Sequence, residues 1–126
     1  MSEVSTPREW ILRPRWQRPP LTANHRMHWA EKAALTREVR GLVKLLARVQ
    51  VPALSKCEVT LYWSPPDRRR RDADNLVATL KACCDGIVDA GIVKDDTPAY
   101  MVKRMPVITE PSFPPRMWIV VREVVS

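Results

Sequence analysis

Apolar residues recur at steps of three and four in two stretches of the chain, and this spacing predicts two amphipathic helices. The first stretch covers residues 29–49 and stops before Pro52, which cannot continue a helix. The second starts at Asp74 or Asn75, either of which is a good N-cap, and Gly91 is its natural terminator. The apolar stripes are Leu35, Val39, Leu42, Leu46 and Val49 in the first helix and Leu76, Leu80, Cys83, Ile87 and Ala90 in the second.

Strand patterns occupy most of the remaining chain. Apolar and polar residues alternate over 56–63, which predicts a half-buried strand that two prolines end. Two more strands are predicted over 100–107 and 117–124, and the last is apolar on both faces, as is typical of a central strand. One short strand is also expected between residues 2 and 17.

Length, charge and cysteine usage narrow the class of protein. A chain of 126 residues with 45% hydrophobic residues fits one globular domain over residues 1–126, of which we expect 1–8 to be flexible. The net charge of +7 and a pI near 9.8 favour an anionic partner, either nucleic acid or a membrane surface. No apolar run approaches the ~18 residues of a membrane span and no signal-peptide pattern opens the chain, so we expect a cytosolic protein. Cys57, Cys83 and Cys84 lack C-x-x-C spacing and are predicted to be reduced structural thiols.

The strongest chemical signal is the segment 67–76, in which four consecutive arginines, Arg68, Arg69, Arg70 and Arg71, run directly into Asp72-Ala73-Asp74-Asn75. Close exposed arginines repel one another by up to about 1 kcal/mol per pair, so folding alone gives little reason to gather them. A nucleic-acid backbone gives that reason. We therefore expect the four arginines to contact DNA phosphates, with Lys81, Lys103 and Arg104 as lesser candidates.

Aspartates beside the arginines point to a hard metal ion. Asp72 and Asp74 lie two residues apart, and a second acidic pair, Asp95 and Asp96, follows the second predicted helix. Mg²⁺ prefers oxygen ligands and is commonly bound by a few carboxylates together with a substrate phosphate. Taken singly, Asp74 is better explained as a helix cap and the second pair as a turn. Next to four arginines in a basic chain, metal binding becomes the favoured interpretation.

The helix between the two acidic pairs limits whether they can meet. A helix over residues 75–90 would be roughly 24 Å long, whereas residues 91–95 extend at most about 18 Å. Either the helix ends earlier, near Asp85 or Gly86, or the second pair comes from another subunit. We expect the earlier ending.

A basic segment, 18–29, precedes the first helix. Arg18, Asn24 and Arg26 can reach phosphate oxygens and Trp29 offers a stacking or packing surface, so one interpretation is a DNA-contact loop. The alternative is a solvated loop that leads into the helix. The sequence favours neither interpretation.

The same motifs carry a resemblance to a known family. Arg-Arg-Arg-Asp-x-Asp-Asn-Leu, followed after the helix by Ala-Gly-x-x-x-Asp-Asp, resembles the RusA family of Holliday-junction resolvases. Two further features are similar to that family, namely Pro19-Pro20 with Asn24-His25-Arg26 and the strand that ends in Ser64-Pro65-Pro66-Asp67. The likeness covers roughly residues 19–107.

The resemblance implies a small α+β fold, in which a mixed β-sheet is packed with two main helices, and a homodimer that binds four-way DNA junctions. It also implies a crossover junction endodeoxyribonuclease that nicks two opposing strands symmetrically with Mg²⁺ or Mn²⁺, in DNA recombination and repair. Carried over to this chain, the family's essential carboxylates fall on Asp72, Asp74 and Asp96, and Asp95 is the neighbouring candidate ligand.

One position departs from the family pattern. Family members place a lysine in the first turn after Asp-Asn-Leu, where this chain has Ala78, and its nearest lysine is Lys81. Positions three apart share a helix face, so Lys81 is the candidate replacement for that cation. Two other functions remain open: a non-catalytic DNA-binding module in which the aspartates only cap a helix, and a nuclease of the same fold that cuts flaps or replication forks.

Overall fold

A computed structural model describes residues 7–22 and 28–125 of the chain. Within these ranges the chain forms five strands and two α-helices. In chain order they are β1 (Glu9–Leu12), α1 (Trp29–Gln50), β2 (Cys57–Ser64), α2 (Val77–Asp89), β3 (Met101–Lys103), β4 (Val107–Ile108) and β5 (Arg116–Glu123), and a short 3-10 turn over Ala73–Leu76 leads directly into α2.

The strands form one mixed sheet in the order β1-β5-β2-β3, and β4 also pairs with β2. Strand β5 is antiparallel to both β1 and β2, whereas β3 and β4 run parallel to β2. Ser64, the last residue of β2, lies opposite Arg116, the first residue of β5. The loop after β2 and the loop before β5 therefore meet at one end of the sheet.

Alternating burial along β5, and its pairing with β2, indicate that the helices cover one face of the sheet. Leu61 and its cross-strand partner Ile119 are fully buried, whereas the next pair along the strands, Tyr62 and Trp118, is partly exposed on the other face. The two helices pack mainly against each other and also contact β1 and β2. The core thus lies between one sheet face and the helix pair, and the opposite face is open.

The two helices cross closely at Gly86. A side-chain carbon at this position would lie 2.6 Å from the carbonyl oxygen of Arg40 and 3.0 Å from the Cβ atom of Val43, so only glycine fits without displacing α1. The helix continues to Asp89, and Gly91 follows with a φ of 80°, the left-handed conformation that favours glycine. The expected ending at Gly86, or at the residue before it, is wrong because this glycine serves helix packing.

The α+β fold class expected for the chain is confirmed, since a mixed five-stranded sheet packs with two main helices. Helix α1 agrees with the predicted helix to within one residue at its end, and β5 is the central strand that its apolar faces indicated. The single strand expected over 100–107 is instead β3 and β4. Pro106 lies between them and has no N–H group to pair with a neighbouring strand.

All three cysteines are free and buried, as predicted for structural thiols. Burial raises the pKa of Cys57 to about 11 and is the main reason why that of Cys84 rises to about 12. These thiols are therefore neutral and poorly reactive near neutral pH. No helix in the described ranges is both long and apolar enough to cross a membrane.

Candidate nucleic-acid interface

The loop that follows β2 is fixed by Arg71. Its guanidinium lies 5.0 Å from the ring centre of Trp63 and donates hydrogen bonds of 2.9 Å and 3.0 Å to the carbonyl oxygens of Asp67 and Arg69. It also forms a 2.9 Å ion pair with the Asp67 carboxylate, and only 17% of the Arg71 side chain is exposed. Arg71 thus holds the loop in one conformation through contacts within the chain.

Asp67 stabilises the same loop from its start. Its Oδ1 atom accepts a 2.9 Å hydrogen bond from the backbone N–H of Arg69. This bond, together with the ion pair to Arg71, holds the pKa of the Asp67 carboxyl below its usual range. The carboxylate therefore stays charged near neutral pH and keeps the turn closed.

The other three arginines of the run are exposed. Arg68 forms a 2.8 Å ion pair with Glu110, a contact between two largely exposed side chains. The Nη2 atom of Arg69 lies 3.9 Å from Oδ2 of Asp67, which makes this a weak ion pair. Arg70 forms no ion pair with any carboxylate in the described part of the chain, so it is the arginine most available to an anionic ligand.

Asp72 and Asp74 lie where this loop turns into α2. Asp72, rather than the expected Asp74 or Asn75, is the N-cap of the 3-10 turn, because its Oδ1 atom accepts a 3.1 Å hydrogen bond from the N–H of Asp74. The cap falls earlier than predicted because the 3-10 turn precedes the α-helix. Both aspartates are exposed, and capping uses one oxygen of Asp72. The remaining carboxylate oxygens are free to bind a ligand.

A groove of about 390 Å³ brings Arg70 and Asp72 together beside Trp63. It opens between the segment 19–22 and the start of α2, and it combines guanidinium, carboxylate and amide groups around an indole ring. Such a mixture suits a phosphate and its sugar, which proteins bind through arginine and neutral polar groups. The lining residues are Pro19, Thr22, Trp63, Arg70, Arg71, Asp72, Asn75 and Leu76.

One wall of the groove is anchored by a buried hydroxyl. The Oγ1 atom of Thr79 donates a 2.6 Å hydrogen bond to the carbonyl oxygen of Leu21 and accepts a 3.1 Å bond from its N–H group. Thr79 is fully buried, so both bonds replace contacts with water. The segment that carries Pro19 and Thr22 is thereby tied to α2.

Asp96 belongs to a second cluster, alongside α2. Its Oδ2 atom accepts a 3.0 Å hydrogen bond from Nζ of Lys103, and this bond, with a smaller effect of nearby Lys81, holds the pKa of Asp96 below its usual range. Burial is the largest single effect on Lys103 and opposes its charge, but the hydrogen bond and the charge attraction to Asp96, with smaller contributions from nearby groups, together raise the pKa of the lysine. Lys81 and Lys103 line one cavity of about 310 Å³. Asp95 is exposed and accepts a 2.7 Å bond from the N–H of Asp96.

The predicted metal ligands form two groups in the single chain. Within residues 7–22 and 28–125, no three side chains of histidine, cysteine, aspartate or glutamate are placed to hold a metal ion. Asp72 and Asp74 share the start of α2, whereas Asp96 is held by Lys103. Because α2 continues to Asp89, the returning chain brings Asp96 near Lys81 and Lys103, and the three aspartates are not assembled.

The basic segment before α1 is described only in part. Asn24 and Arg26, two of the predicted DNA contacts, lie outside the described residues. Arg18 is exposed and lines a cavity of about 680 Å³ together with Trp63. Trp29 is 77% exposed and does not pack in the core. A stacking surface is thus present where α1 begins.

Trp63 and Asn75 line the groove, although sequence reasoning gave them only structural roles. Asn75 directly follows the two aspartates, and this position was a signal that could have placed it in the site. The alternation of apolar and polar residues along β2 predicts only that Trp63 is a buried strand residue. Its contact with Arg71 depends on how the loop folds back across two prolines, which residue spacing does not reveal.

No family model matches the chain. A protein of Xylella fastidiosa (strain Temecula1 / ATCC 700964), named only as an uncharacterized protein, is 30% identical over 81 residues. The match covers 60% of this chain and 53% of that protein, so the chain spans about half the length of this relative. The name of the relative states no activity, and the match leaves the function open.

Proposed function

We propose that the protein is a Mg²⁺-dependent, structure-selective endodeoxyribonuclease that resolves Holliday junctions by paired hydrolysis of phosphodiester bonds. The observation that carries the proposal is the groove in which Arg70, which has no ion pair among the described residues, stands together with the exposed Asp72. The motif resemblance to RusA resolvases supports the choice of substrate, and the net charge of +7 supports DNA as the partner. The protein would act in the cytoplasm, in DNA recombination and repair.

The chain's own residues divide the work of binding. Arg70 donates to the phosphate oxygens, while Arg71 keeps the loop in place and leaves its neighbours exposed. The amide of Asn75 binds the adjoining sugar or phosphate. Arg68 and Arg69 bind the flanking DNA backbone when its phosphates displace their carboxylate partners, Glu110 and Asp67. These exposed ion pairs contribute little to stability and are easily displaced.

Asp72 and Asp74 have the donor chemistry that Mg²⁺ requires. Mg²⁺ is usually bound by one or two carboxylates plus substrate phosphate and water, so two exposed aspartates beside a phosphate-binding arginine fit the ion without a third carboxylate. When bound, the ion polarises the phosphate and lowers the pKa of its bound water. Mn²⁺ fits the same oxygen donors.

Asp96 and Lys81 have a different place in the proposal. Asp96 would join Asp72 and Asp74 only after its ion pair with Lys103 breaks, or from a second subunit. Lys81 and Lys103 share one cavity and would hold the DNA backbone beside it. A homodimer suits a four-way junction, because two copies related by a two-fold axis present two equivalent sites.

Cleavage of a substrate panel tests the proposal. We expect the protein with Mg²⁺ to nick a labelled four-way junction symmetrically on two opposing strands and to leave linear duplex intact. Omission of Mg²⁺, or the substitution Asp74→Asn, should abolish the nicks. Junction cleavage that survives Asp74→Asn would reject the site, and preferential cutting of a flap would reject the substrate.

A second candidate is a DNA-binding module without catalysis. It is favoured by the finding that no three potential metal ligands come together within the described residues. In such a module Asp72 only caps the 3-10 turn before α2, and the arginines alone meet the DNA. It predicts junction binding without Mg²⁺ and no cleavage of any substrate in the same panel.

A further inference from the structure

Three loops that are far apart in sequence meet at the end of the sheet where β2 finishes and β5 begins. The carbonyl oxygen of Trp16 accepts a 3.1 Å hydrogen bond from the N–H of Met117, which fixes the loop after β1. The carbonyl oxygen of Pro65 accepts a 2.9 Å bond from the N–H of Ser112, which joins the loop after β2 to the loop before β5. We call the three segments 13–18, 67–74 and 109–116 the arginine end.

Charge at the arginine end is strongly one-sided. The run Arg68 to Arg71 supplies only half of its arginines, and the other half comes from the two flanking loops. Like charges brought together by folding cost stability unless an anion binds there, so this gathering indicates an extended polyanion rather than one phosphate. The arginines are Arg13, Arg15, Arg18, Arg68, Arg69, Arg70, Arg71 and Arg116, and the carboxylates in the same segments are Asp67, Asp72, Asp74 and Glu110.

Arg13 and Arg116 stand together beside an aromatic ring on the open face of the sheet. With Trp118 they line a cavity of about 220 Å³. The Arg116 guanidinium lies 5.6 Å from the centre of the Trp118 ring, and this ring is stacked on Tyr62 at 5.4 Å. Both arginines are exposed, and neither forms an ion pair with a carboxylate of the residues described.

We propose that Arg13 and Arg116 form a second site for DNA phosphate, which extends the interface from the groove around the arginine end onto the open sheet face. This inference rests on DNA as the partner in the proposed function. Two guanidiniums held beside a rigid ring present planar forks of N–H groups, which match phosphate oxygens better than flexible point charges do.

The second site uses different residues from the groove, and the two sites adjoin at the end of β2. Arg116 lies opposite Ser64 in the sheet, and the loop that carries Arg70 leaves β2 just beyond Ser64. A backbone that leaves the groove at Arg70 therefore meets Arg116 next. The protein then grips DNA on both sides of the strand ends, which one arginine loop cannot do.

Salt dependence of DNA binding tests the second site. Affinity for a four-way junction is measured without Mg²⁺ over a range of salt concentrations, for the intact protein, for the double variant Arg13→Ala/Arg116→Ala and for Arg70→Ala. Each lost phosphate contact should reduce the slope of log K against log salt by about 0.9. The double variant should therefore lose about two units of slope and bind on the order of 10- to 100-fold more weakly at moderate salt.

A matched control removes the same charge from the opposite end of the sheet. Arg8 and Arg122 lie at that end, where Glu9 pairs with Arg122 in the register of β1 and β5. The variant Arg8→Ala/Arg122→Ala should keep the slope of the intact protein to within one unit. Circular dichroism confirms that each variant folds. If the double variant does not fold, the single variant Arg116→Gln tests the same position and should lose about 0.9 in slope.

The outcomes separate this inference from the proposed function. If the intact protein binds DNA and Arg70→Ala weakens it while Arg13→Ala/Arg116→Ala does not, the second site is rejected and the groove stands. Equal losses in the double variant and its charge control would also reject it, because total charge would then explain both. If the intact protein binds no DNA, DNA is rejected as the partner.

Discussion

At the residue scale, neighbours of the same type have different roles. Arg71 is mostly buried against Trp63 and bound within its own loop, whereas Arg70 is exposed at the groove. Asp72 caps the turn before α2, whereas the cap leaves Asp74 free. In the arginine pair one residue builds the site and the other is offered to a ligand, whereas Asp72 does both, because the cap uses only one of its two carboxylate oxygens. The roles of neighbouring residues of the same type can therefore be told apart only from their contacts.

Thr79 shows what one buried hydroxyl contributes to the groove. The substitution Thr79→Val keeps the shape of the side chain but leaves the N–H and carbonyl groups of Leu21 without their partner. We expect a loss of about 1–3 kcal/mol in the free energy of unfolding, because buried polar groups without partners pay their full desolvation cost. Chemical denaturation measures this loss.

Thr36→Val is the matched control for Thr79→Val. The Thr36 hydroxyl donates a 2.7 Å bond to the carbonyl oxygen of Lys32 on an exposed part of α1. Its removal should change stability by less than about 0.5 kcal/mol, as surface substitutions usually do. Equal losses at both positions would contradict the anchoring role of Thr79.

At the element scale, the crossing of α1 and α2 determines where the site residues lie. Its close approach requires Gly86, and an ion pair from Arg40 to Asp89, with a 2.9 Å Nη2–Oδ1 bond, joins the helices further along. Helix α2 runs past the crossing to Asp89. As a result, the chain returns with Asp96 beside Lys103 and not beside Asp72.

Two glycines in the helices give a direct test of this crossing. Gly86→Ala places a carbon 2.6 Å from a backbone oxygen of α1 and should cost about 1–3 kcal/mol by overpacking. Gly41→Ala meets nothing within 4 Å and should stabilise α1 by roughly 0.5–1 kcal/mol, because alanine loses less backbone entropy. Thermal denaturation of both variants measures the difference. Effects of the same sign would contradict the described crossing.

The Arg40–Asp89 pair should have a defined pH dependence. The hydrogen bond from Arg40 lowers the pKa of Asp89 below 3.8, so its stabilisation is present above 3.8 and is lost as pH falls through the lowered value. Arg40→Gln should return the Asp89 pKa toward 3.8, as followed by NMR of the carboxyl carbon. It should cost less than about 1 kcal/mol near neutral pH, because the pair is partly exposed. An unchanged Asp89 pKa would contradict the pairing.

Sequence periodicity was sufficient for α1 and for the central strand, because each repeats one pattern over many residues. It also carried α2 to Ala90, next to the observed end at Asp89; the earlier ending was expected only so that the second acidic pair could reach the first, and it is wrong because Gly86 packs against α1. The arginine loop and its aspartates could be singled out from the order of residues in the sequence alone. Their division into structural and available groups could not, because it depends on how Arg71 folds back onto Trp63 and on the ion pair between Asp96 and Lys103, which residue spacing does not reveal.

At the scale of the whole molecule, chain folding concentrates a diffuse positive charge. The net charge of +7 is spread along the sequence, but the sheet topology brings three arginine-bearing loops to one end. Arg70 on one side of the strand ends, and Arg13 and Arg116 on the other, form no ion pair within the described ranges and would attract a phosphate backbone over a long contact. The exposed Asp72 of the groove lies within that contact, in the turn before α2.

The most direct measurement of the central claim is the single-turnover rate at which Asp72→Asn cleaves a four-way junction, relative to its affinity for the same junction. Glu110→Gln is the control, because it removes one negative charge from the same end of the sheet. We predict that Asp72→Asn binds the junction as tightly as the intact protein. Its cleavage rate should fall by a factor on the order of 100 or more, since the loss of a metal ligand removes several kcal/mol of transition-state stabilisation. Glu110→Gln should keep its rate. Cleavage by Asp72→Asn at the rate of the intact protein would contradict a catalytic site in the groove.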